Sequence, residues 1–498
     1  MKSLNTSALR ALYFPLRRPT SRARGGSRIT AAALIRRSLV LSILLQFALL
    51  FSPGSGILTY ICPIFAVVFG WALLRNSRAD YIRFTLWLWF LTPLIRRLVD
   101  FRSGGDVHSL ILVTPYLASC VPLYEIISGG HAVFDRRSFP LLSMTAAVLL
   151  GLPIGLANFG APAAFQSFLT WIAPLCFALF LYQHRTHFPE MFRTFEQTMI
   201  CGALVAAGYG VYQYFFLPGW DALWMENVDN PTFFKAVAMD VRVFSTMNGP
   251  QVLALFLSTG LLLALHSRDK IRYFASPVIA LALVLTMART AWMSFVFGLI
   301  YLVLRGGARL RLQVGVVAAI AVCLFGLALQ DQDVAAKVWQ RFDTFKNVGH
   351  DESFNSRIEG HEALLVYLSD NPFGFGLGGP ADGSEAAERK GNIKIPSDLS
   401  VQNDSSIAAV MLSLGIFGSL LAGISFVMIA AAVMRLEAAH GSSTEALKVL
   451  ALVFLVEAPC ETVVNGPCGF LTWAVLGLCL AAGAPNRGNA QLIPVASR

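Results

Sequence analysis

The chain is built from long apolar blocks separated by mostly short polar connections. Only 14% of its 498 residues are charged and 56% are hydrophobic, whereas soluble domains are typically about 25% charged. A spanning helix needs roughly 20 apolar residues, because the hydrocarbon core of a bilayer is about 30 Å thick. The sequence therefore predicts an integral membrane protein with many spans. It excludes a soluble enzyme, a disordered chain and a nucleic-acid-binding protein.

Fourteen apolar segments are candidates for spanning helices, and we predict an all-α, polytopic membrane helical bundle of 12–14 transmembrane helices with a large outer loop. The candidates are 38–52, 57–74, 83–98, 109–127, 140–158, 163–182, 196–216, 250–266, 273–288, 289–304, 312–329, 406–434, 446–461 and 467–483. Several segments are short, which sets the lower bound of the count.

The distribution of charge predicts the orientation of the bundle. The tail 1–37 holds nine Lys or Arg residues and no acidic residue, and each even-numbered connection between the candidate spans also contains Lys or Arg. Basic connections remain in the cytoplasm, so both termini are expected there. The predicted regions are a basic cytoplasmic tail (1–37), a first transmembrane bundle (38–329), a large outer loop (330–405), the last transmembrane helices (406–483) and a second cytoplasmic tail (484–498).

Two outer connections, 217–249 and 330–405, are long enough to form structure of their own. The second carries 13 acidic and 7 basic residues, as expected of a solvated region. Its segment 357–369 has apolar residues at helical spacing, and the glycine-rich run 374–379 follows. No strand precedes the run, so a nucleotide-binding loop is not supported. The run is then either a flexible turn, which we favour, or a set of amides that binds an anion.

Arg289 interrupts an otherwise apolar stretch from 273 to 304. Placing a guanidinium inside a membrane costs about 2.5–3.5 kcal/mol even on the mildest scale, so it needs a partner. One interpretation is a turn residue that reaches the interface between two helices. The other, which we favour, is an anion site at the outer end of the bundle.

Further arginines are predicted on the outer side, whereas the basic residues of the even-numbered connections are predicted in the cytoplasm. Arg96, Arg97 and Arg102 follow the candidate span 83–98. Either that span is re-entrant or the arginines hold a ligand such as a diphosphate, which a guanidinium binds through two oxygens. Arg242 closes the connection 217–249, where it is either an interfacial anchor or a further ligand contact.

Three stretches of the chain resemble the O-antigen ligase and polymerase superfamily of bacterial membrane glycosyltransferases. The first is Ala288-Arg289-Thr290-Ala291-Trp292, which is similar to a Ser-Arg-Thr/Ser motif. The second is Asn355-Ser356-Arg357, followed by a helix and the run from Asn371 to Gly378. The third is Gln402-Asn403-Asp404-Ser405, which leads into Leu414-Gly415-Ile416-Phe417-Gly418. The resemblance spans about residues 240–440.

The third stretch departs from the pattern, because Asp404-Ser405 stands where the ligases carry a histidine and a polar residue. This departure favours a polymerase over a ligase. The resemblance implies a glycan donor on a polyprenyl diphosphate, a glycan acceptor, contact with membrane lipid and a place in the bacterial inner membrane. It implies no metal and no cofactor.

The resemblance also implies roles for particular residues. Arg289 and Arg357 would stabilise the leaving diphosphate, and Asp404 would take the proton of the attacking hydroxyl. Substrate contacts are expected from a further set: Arg242, Arg96, Arg97, His361 and Ser405. His361 follows Arg357 by one helical turn and is otherwise a surface histidine.

Other functions remain open at this point. A ligase that transfers glycan to a lipid or protein is the nearest alternative, and a transporter or flippase is the main rival of another class. The ionisable residues within the spans are few and lie toward the ends, which disfavours ion-coupled transport. A non-catalytic scaffold would not need Arg289. A disulfide between Cys460 and Cys468, which flank a short outer loop, is also open.

Overall fold

The computed structural model describes residues 25–104, 109–128, 135–228, 235–267, 269–305, 364–379, 405–437 and 441–483, with a few more between 307 and 319 and at 439. Within these residues the protein is helical and has no β-strand, which confirms the all-α bundle. Six of these helical segments are long and apolar enough to cross a membrane.

The helices follow one another with short connections, and residues 364–370 form a further helical segment. In chain order they are α1 (Gly25–Leu50), α2 (Leu58–Asn76), α3 (Arg78–Ser103), α4 (Thr114–Cys120), α5 (Leu123–Ser128), α6 (Phe139–Gln183), α7 (Phe188–Phe216), α8 (Gly219–Val228), α9 (Pro250–His266), α10 (Arg272–Leu285), α11 (Arg289–Arg305), α12 (Ser406–Met434), α13 (Ser443–Glu457) and α14 (Gly466–Ala482).

The centre of the bundle is formed by helices that are apolar on all sides. In α9 every residue from Leu253 to Leu265 is buried, and in α14 the same holds from Gly469 to Ala481. A helix without a polar face belongs in the interior of a bundle. The helix α6 packs on α12 and α14, while α9 packs on α7 and α10. The remaining helices surround this centre.

The helices of the structure differ from the predicted spans in several places. The helix α3 is continuous from Arg78 to Ser103, so the re-entrant interpretation of 83–98 is wrong. The candidates 140–158 and 163–182 form the two parts of α6, which breaks at Gly160 (φ 79°, ψ 170°). Most of the candidate 312–329 lies outside the described residues.

The helix α12 is also broken, at Gly415 (φ 65°, ψ −171°), and residues 371–379 lie between this break and that of α6. We call residues 371–379 the glycine clamp. Its Phe375 amide donates to the Leu412 carbonyl in α12 at 2.8 Å, and its Leu377 amide donates to the Gly151 carbonyl in α6 at 3.1 Å. The clamp therefore joins two helices by backbone hydrogen bonds, as buried peptide groups require.

Close backbone contacts explain why the clamp is rich in glycine. Gly376 has a φ of 80°, and a Cβ atom on it would lie 2.2 Å from the Gly155 nitrogen. Gly155 in turn lies against the Leu377 backbone, with its own hypothetical Cβ 2.0 Å from the Leu377 carbonyl oxygen. The interpretation of this run as a flexible turn is therefore wrong. Two of its amides bond to carbonyl groups of α6 and α12 instead of facing an open anion site.

The helical segment 364–370 is held to the clamp by an aromatic contact. The rings of Tyr367 and Phe375 stack with their centroids 4.4 Å apart, and burial raises the pKa of Tyr367 to about 12. Leu364 and Leu368 pack beside them against Phe159 of α6. The second motif of the sequence is thus fixed to the bundle at its carboxyl end.

Candidate functional site

The connection between α10 and α11 places Arg289 at the first position of α11. Residues 286–288 join the two helices, and Met287 has a φ of 53°, a left-handed conformation. The Val243 amide donates to the Leu285 carbonyl at 3.1 Å, which holds the segment 241–249 against the end of α10. We call this end of the molecule the Arg289 end.

Arg242 is buried at the carboxyl end of α10. Its guanidinium donates to the carbonyls of Thr286 at 3.1 Å and Met287 at 3.3 Å. A cation is stabilised there by the partial negative charge at a helix carboxyl terminus. Arg242 therefore supports the backbone that presents Arg289, which is a different task from the ligand contact or interfacial anchor expected from sequence.

Arg97 lies in the protein interior, where it pairs with Asp221 of α8. Its Nε is 2.9 Å from Asp221 Oδ1, and neither side chain is exposed to solvent. Its terminal nitrogens donate to the carbonyls of Ser245 and Met247, and its guanidinium lies over the Phe244 ring at 4.8 Å. The ion pair thus holds the segment 241–249.

A second set of bonds fixes the same segment from α7. Gln213 donates to Asp221 Oδ2 at 2.7 Å, and its side-chain oxygen accepts from the amides of Phe244 at 3.0 Å and Ser245 at 2.7 Å. Tyr209 also donates to Asp221 Oδ2, at 2.8 Å. We call Arg97, Asp221, Gln213 and Tyr209 the buried network. It links α3, α7 and α8 to the segment that carries Arg242.

The other predicted arginines of α3 lie nearer the surface. Arg96 pairs with Asp100 one turn later, with a nitrogen–oxygen distance of 2.8 Å. Arg102 lies over the Phe51 ring at 5.7 Å. The arginines on the predicted outer side of this helix therefore have contacts within the protein, which accounts for their departure from the distribution of the other basic residues.

The start of α11 packs on the end of α13 through two hydroxyl–carboxylate bonds. Thr290 donates to Glu461 Oε1 at 3.0 Å, and Ser294 donates to Glu457 Oε2 at 3.1 Å. Glu457 is buried, whereas Glu461 is partly exposed. A carboxylate at the surface of the bundle thus lies beside the residue that follows Arg289.

The start of α12 is held on the same loop. Ser406 donates through its hydroxyl to the Glu461 carbonyl at 2.7 Å and accepts from the Val463 amide at 2.9 Å. The Ser406 amide donates to the Ala458 carbonyl at 3.0 Å. Ser405 is buried, and its hydroxyl has no hydrogen-bond partner among the described residues. We call Arg289, Thr290, Ser405, Ser406 and Glu461 the three-helix junction.

The charges of the three-helix junction suit the binding of an anion beside an acceptor that carries a hydroxyl group. The amino termini of α11 and α12 both bond to the loop that carries Glu461, through Thr290 and Ser406, and each carries a partial positive charge of about half a unit. Arg289 adds a full positive charge at the first position of α11, and the Glu461 carboxylate lies next to it in the same junction. Such a site can bind a phosphoryl group and accept a proton nearby.

Of the residues predicted from sequence, Arg289 and Ser405 adjoin Thr290 and Ser406, which bond to the same loop. The predicted residues Arg357, His361 and Asp404 lie outside the described part of the chain. Sequence reasoning missed Glu461, which lies in the short loop between Cys460 and Cys468. Both of these cysteines are free thiols, so no disulfide joins them.

Part of the chain matches a known family. Residues 274–423 match the family described as O-Antigen ligase. The match begins in α10, includes α11 and the glycine clamp, and ends within α12. It confirms the resemblance drawn from the three sequence motifs. No curated protein matches the chain.

Proposed function

We propose that this chain, which carries the O-antigen ligase match in residues 274–423, is a membrane glycosyltransferase that extends a polyprenyl-diphosphate-linked glycan at the periplasmic face of the bacterial inner membrane. The observation that carries the proposal is the three-helix junction, in which the helix that begins at Arg289 and the helix that begins at Ser406 both bond to Glu461 by their amino termini. Asp404-Ser405 in place of a histidine pair favours a polymerase, while the family description favours a ligase, which is the second candidate.

The chemistry follows from the charge that develops during transfer. A hydroxyl oxygen of the acceptor forms a bond to the anomeric carbon of the donor, and the bond from that carbon to the diphosphate oxygen breaks. The electron pair remains on the diphosphate, whose growing negative charge is stabilised by Arg289 and Arg357. Fixed positive groups aimed at developing charge are usually the largest source of catalysis. The proton of the acceptor passes to a carboxylate.

The donor brings its own activated bond, so the reaction needs no nucleotide. The polyprenyl chain would lie along the lipid-facing surface of the bundle, where the helices expose apolar side chains, among them Val296 and Ile300 of α11. The sugars would lie above the Arg289 end, near the connection 330–405.

Replacing Arg289 or Arg357 with alanine is expected to abolish glycan extension. Loss of one group that stabilises developing charge typically costs about 10²–10³ in kcat. The measurement is complementation of a strain that lacks this gene, with glycan length read on a gel and protein level read by immunoblot. Arg289→Lys is the matched variant, and it should retain part of the activity because the charge is kept but the two-oxygen contact is lost. Full-length glycan from both alanine variants at normal protein level contradicts the proposal.

The proposed orientation makes a second prediction, which concerns labelling. In a variant whose only cysteine is Cys460, a membrane-impermeant maleimide added to spheroplasts should react, because Cys460 lies at the Arg289 end and is partly exposed. The control is Lys270→Cys in a cysteine-free background, since Lys270 is exposed in the loop between α9 and α10. The cysteine introduced at this position should react only after the membrane is permeabilised. The reverse pattern excludes a periplasmic Arg289 end.

A further inference from the structure

We infer that Glu461 is the group that receives the proton of the acceptor hydroxyl, a role that sequence reasoning assigns to Asp404. The inference rests on the proposed glycosyl transfer and adds to it the position of the acceptor. Glu461 belongs to the loop between α13 and α14, outside the matched region 274–423. Neither the sequence motifs nor the family match points to this residue.

The first argument is the position of the carboxylate relative to the cation. Thr290 directly follows Arg289 and donates to Glu461 Oε1 at 3.0 Å. The carboxylate is therefore tied to the first turn of α11, the turn that presents Arg289. In a direct displacement the acceptor hydroxyl attacks the anomeric carbon on the face opposite the leaving diphosphate, so its base has to lie across that carbon from the anion site, near the site but outside it.

The second argument is the rigidity of the loop that carries Glu461. Its carbonyl accepts from the Ser406 hydroxyl at 2.7 Å, and its amide donates to the Glu457 carbonyl at 2.9 Å. A catalytic group needs such support, because a misplacement of about 1 Å can reduce the rate about 100-fold. The bonds to α11, α12 and α13 fix Glu461 from three helices.

The third argument is the contrast with Glu457, one helical turn earlier. Glu457 is buried between α11 and α13, where it accepts from Ser294. Glu461 is partly exposed at the end of the bundle, where a hydroxyl can reach it. Both carboxylates accept from a hydroxyl group of α11, but Glu457 is buried whereas Glu461 is partly exposed.

The fourth argument is the buried hydroxyl of Ser405. It has no hydrogen-bond partner among the described residues, although a buried polar group without a partner costs about 1–3 kcal/mol. Ser405 adjoins Ser406, which bonds to the Glu461 loop. A sugar hydroxyl bound between Ser405 and Glu461 would give the serine its partner and direct the acceptor proton toward the carboxylate.

The step balances without another reactant. The acceptor O–H bond breaks and its proton moves to the Glu461 carboxylate as the oxygen bonds to the anomeric carbon. The bond between that carbon and the diphosphate oxygen breaks, and the electron pair leaves with the diphosphate. Glu461 then releases the proton to solvent.

The test uses the purified full-length chain with lipid-linked glycan extracted from the strain that lacks this gene. Glu461→Gln keeps the shape and the bond from Thr290 but removes the base, so kcat should fall by about 10²–10⁴-fold. Binding of undecaprenyl diphosphate, used as the probe for the anion site, should be unchanged. Formate should restore part of the activity of Glu461→Ala, which leaves space for a small carboxylate, and none of the activity of Glu461→Gln.

Two controls make the result specific. Glu457→Gln is the same change in a carboxylate that does not reach the acceptor, so it should retain wild-type kcat. Asp404→Asn tests the alternative base, and inactivity of this variant together with an active Glu461→Gln overturns the inference. Failure of the proposed function gives a different result, because the wild-type chain itself would then extend no glycan, whatever the behaviour of the Glu461 variants.

Discussion

Replacing Arg97 with alanine is expected to destabilise the bundle by about 3–5 kcal/mol, the usual cost of breaking a buried ion pair by removing one partner. The reason is that Asp221 would remain fully buried without its cation. The two carbonyls that Arg97 bonds, those of Ser245 and Met247, would lose a donor at the same time. The measurement is unfolding of the purified protein in detergent, followed by near-UV circular dichroism.

Matched variants separate the ion pair from its surroundings. Asp221→Asn should also destabilise the bundle, since it leaves the Arg97 charge buried. The double change Arg97→Met with Asp221→Leu should be more stable than either single variant, because it removes both charges and fills the space with apolar atoms. Arg102→Ala is the control on the same helix, exposed to solvent, and should change stability by less than about 1 kcal/mol. Single variants as stable as this control contradict the role given to the pair.

The buried network also connects stability to the site. Arg97 and Gln213 hold the segment 241–249 from opposite sides, and Arg242 in that segment bonds the carbonyls just before Arg289. A variant of the network that still folds should therefore lose activity along with stability. The cost of burying Arg97 and Asp221 is offset by their ion pair and by their hydrogen bonds, and the same bonds hold the segment that supports the Arg289 end.

The sequence predicted the helices better than it predicted their breaks. Apolar blocks of sufficient length identify spans because a bilayer leaves the backbone no other way to satisfy its hydrogen bonds. Gly160 and Gly415, by contrast, lie inside apolar stretches where a glycine is also compatible with a regular helix. Both broken helices bond to the glycine clamp, and a contact of this kind between separate parts of the chain is not visible in the sequence around either glycine.

The candidate site was predictable in part for a similar reason. Arg289 was identifiable from the sequence alone, because a charged residue within an apolar stretch is costly and therefore needs a partner. Arg97 was identifiable too, but its partner was not, because Asp221 belongs to another connection and only the fold brings the two together. Glu461 was missed because acidic residues are common in short loops, so nothing in the sequence distinguished this one.

The second large effect is expected at the glycine clamp, where Gly376→Ala should destabilise the protein by about 2–5 kcal/mol and abolish activity. Two costs add: a positive φ that an alanine rarely adopts, and a close contact that forces the backbone apart. The added Cβ would lie 2.2 Å from the Gly155 nitrogen and 2.6 Å from the Ile154 carbonyl carbon. Both atoms belong to the backbone of α6, so neither can move away as a flexible side chain would.

Two other glycines of the same bundle distinguish these costs. Gly160 also has a positive φ, of 79°, but no atom lies within 4 Å of its hypothetical Cβ, so Gly160→Ala should cost about 1–3 kcal/mol from conformation alone. Gly423 of α12 has neither feature, and Gly423→Ala should leave stability unchanged or raise it by about 0.5–1 kcal/mol, since alanine favours a helix. The measurement is the loss of native protein on heating, followed by size-exclusion chromatography.

The order of the three variants tests whether the clamp joins α6 and α12. If contact between the clamp and α6 is required, Gly376→Ala is the least stable, Gly160→Ala is intermediate and Gly423→Ala resembles the wild type. Equal stability of the Gly376 and Gly160 variants would mean that the clamp can move away from α6 without consequence. The clamp follows the helical segment 364–370 and bonds to α12, whose first residue, Ser406, belongs to the three-helix junction. Loosening the clamp should therefore disturb the junction even where the bundle still folds.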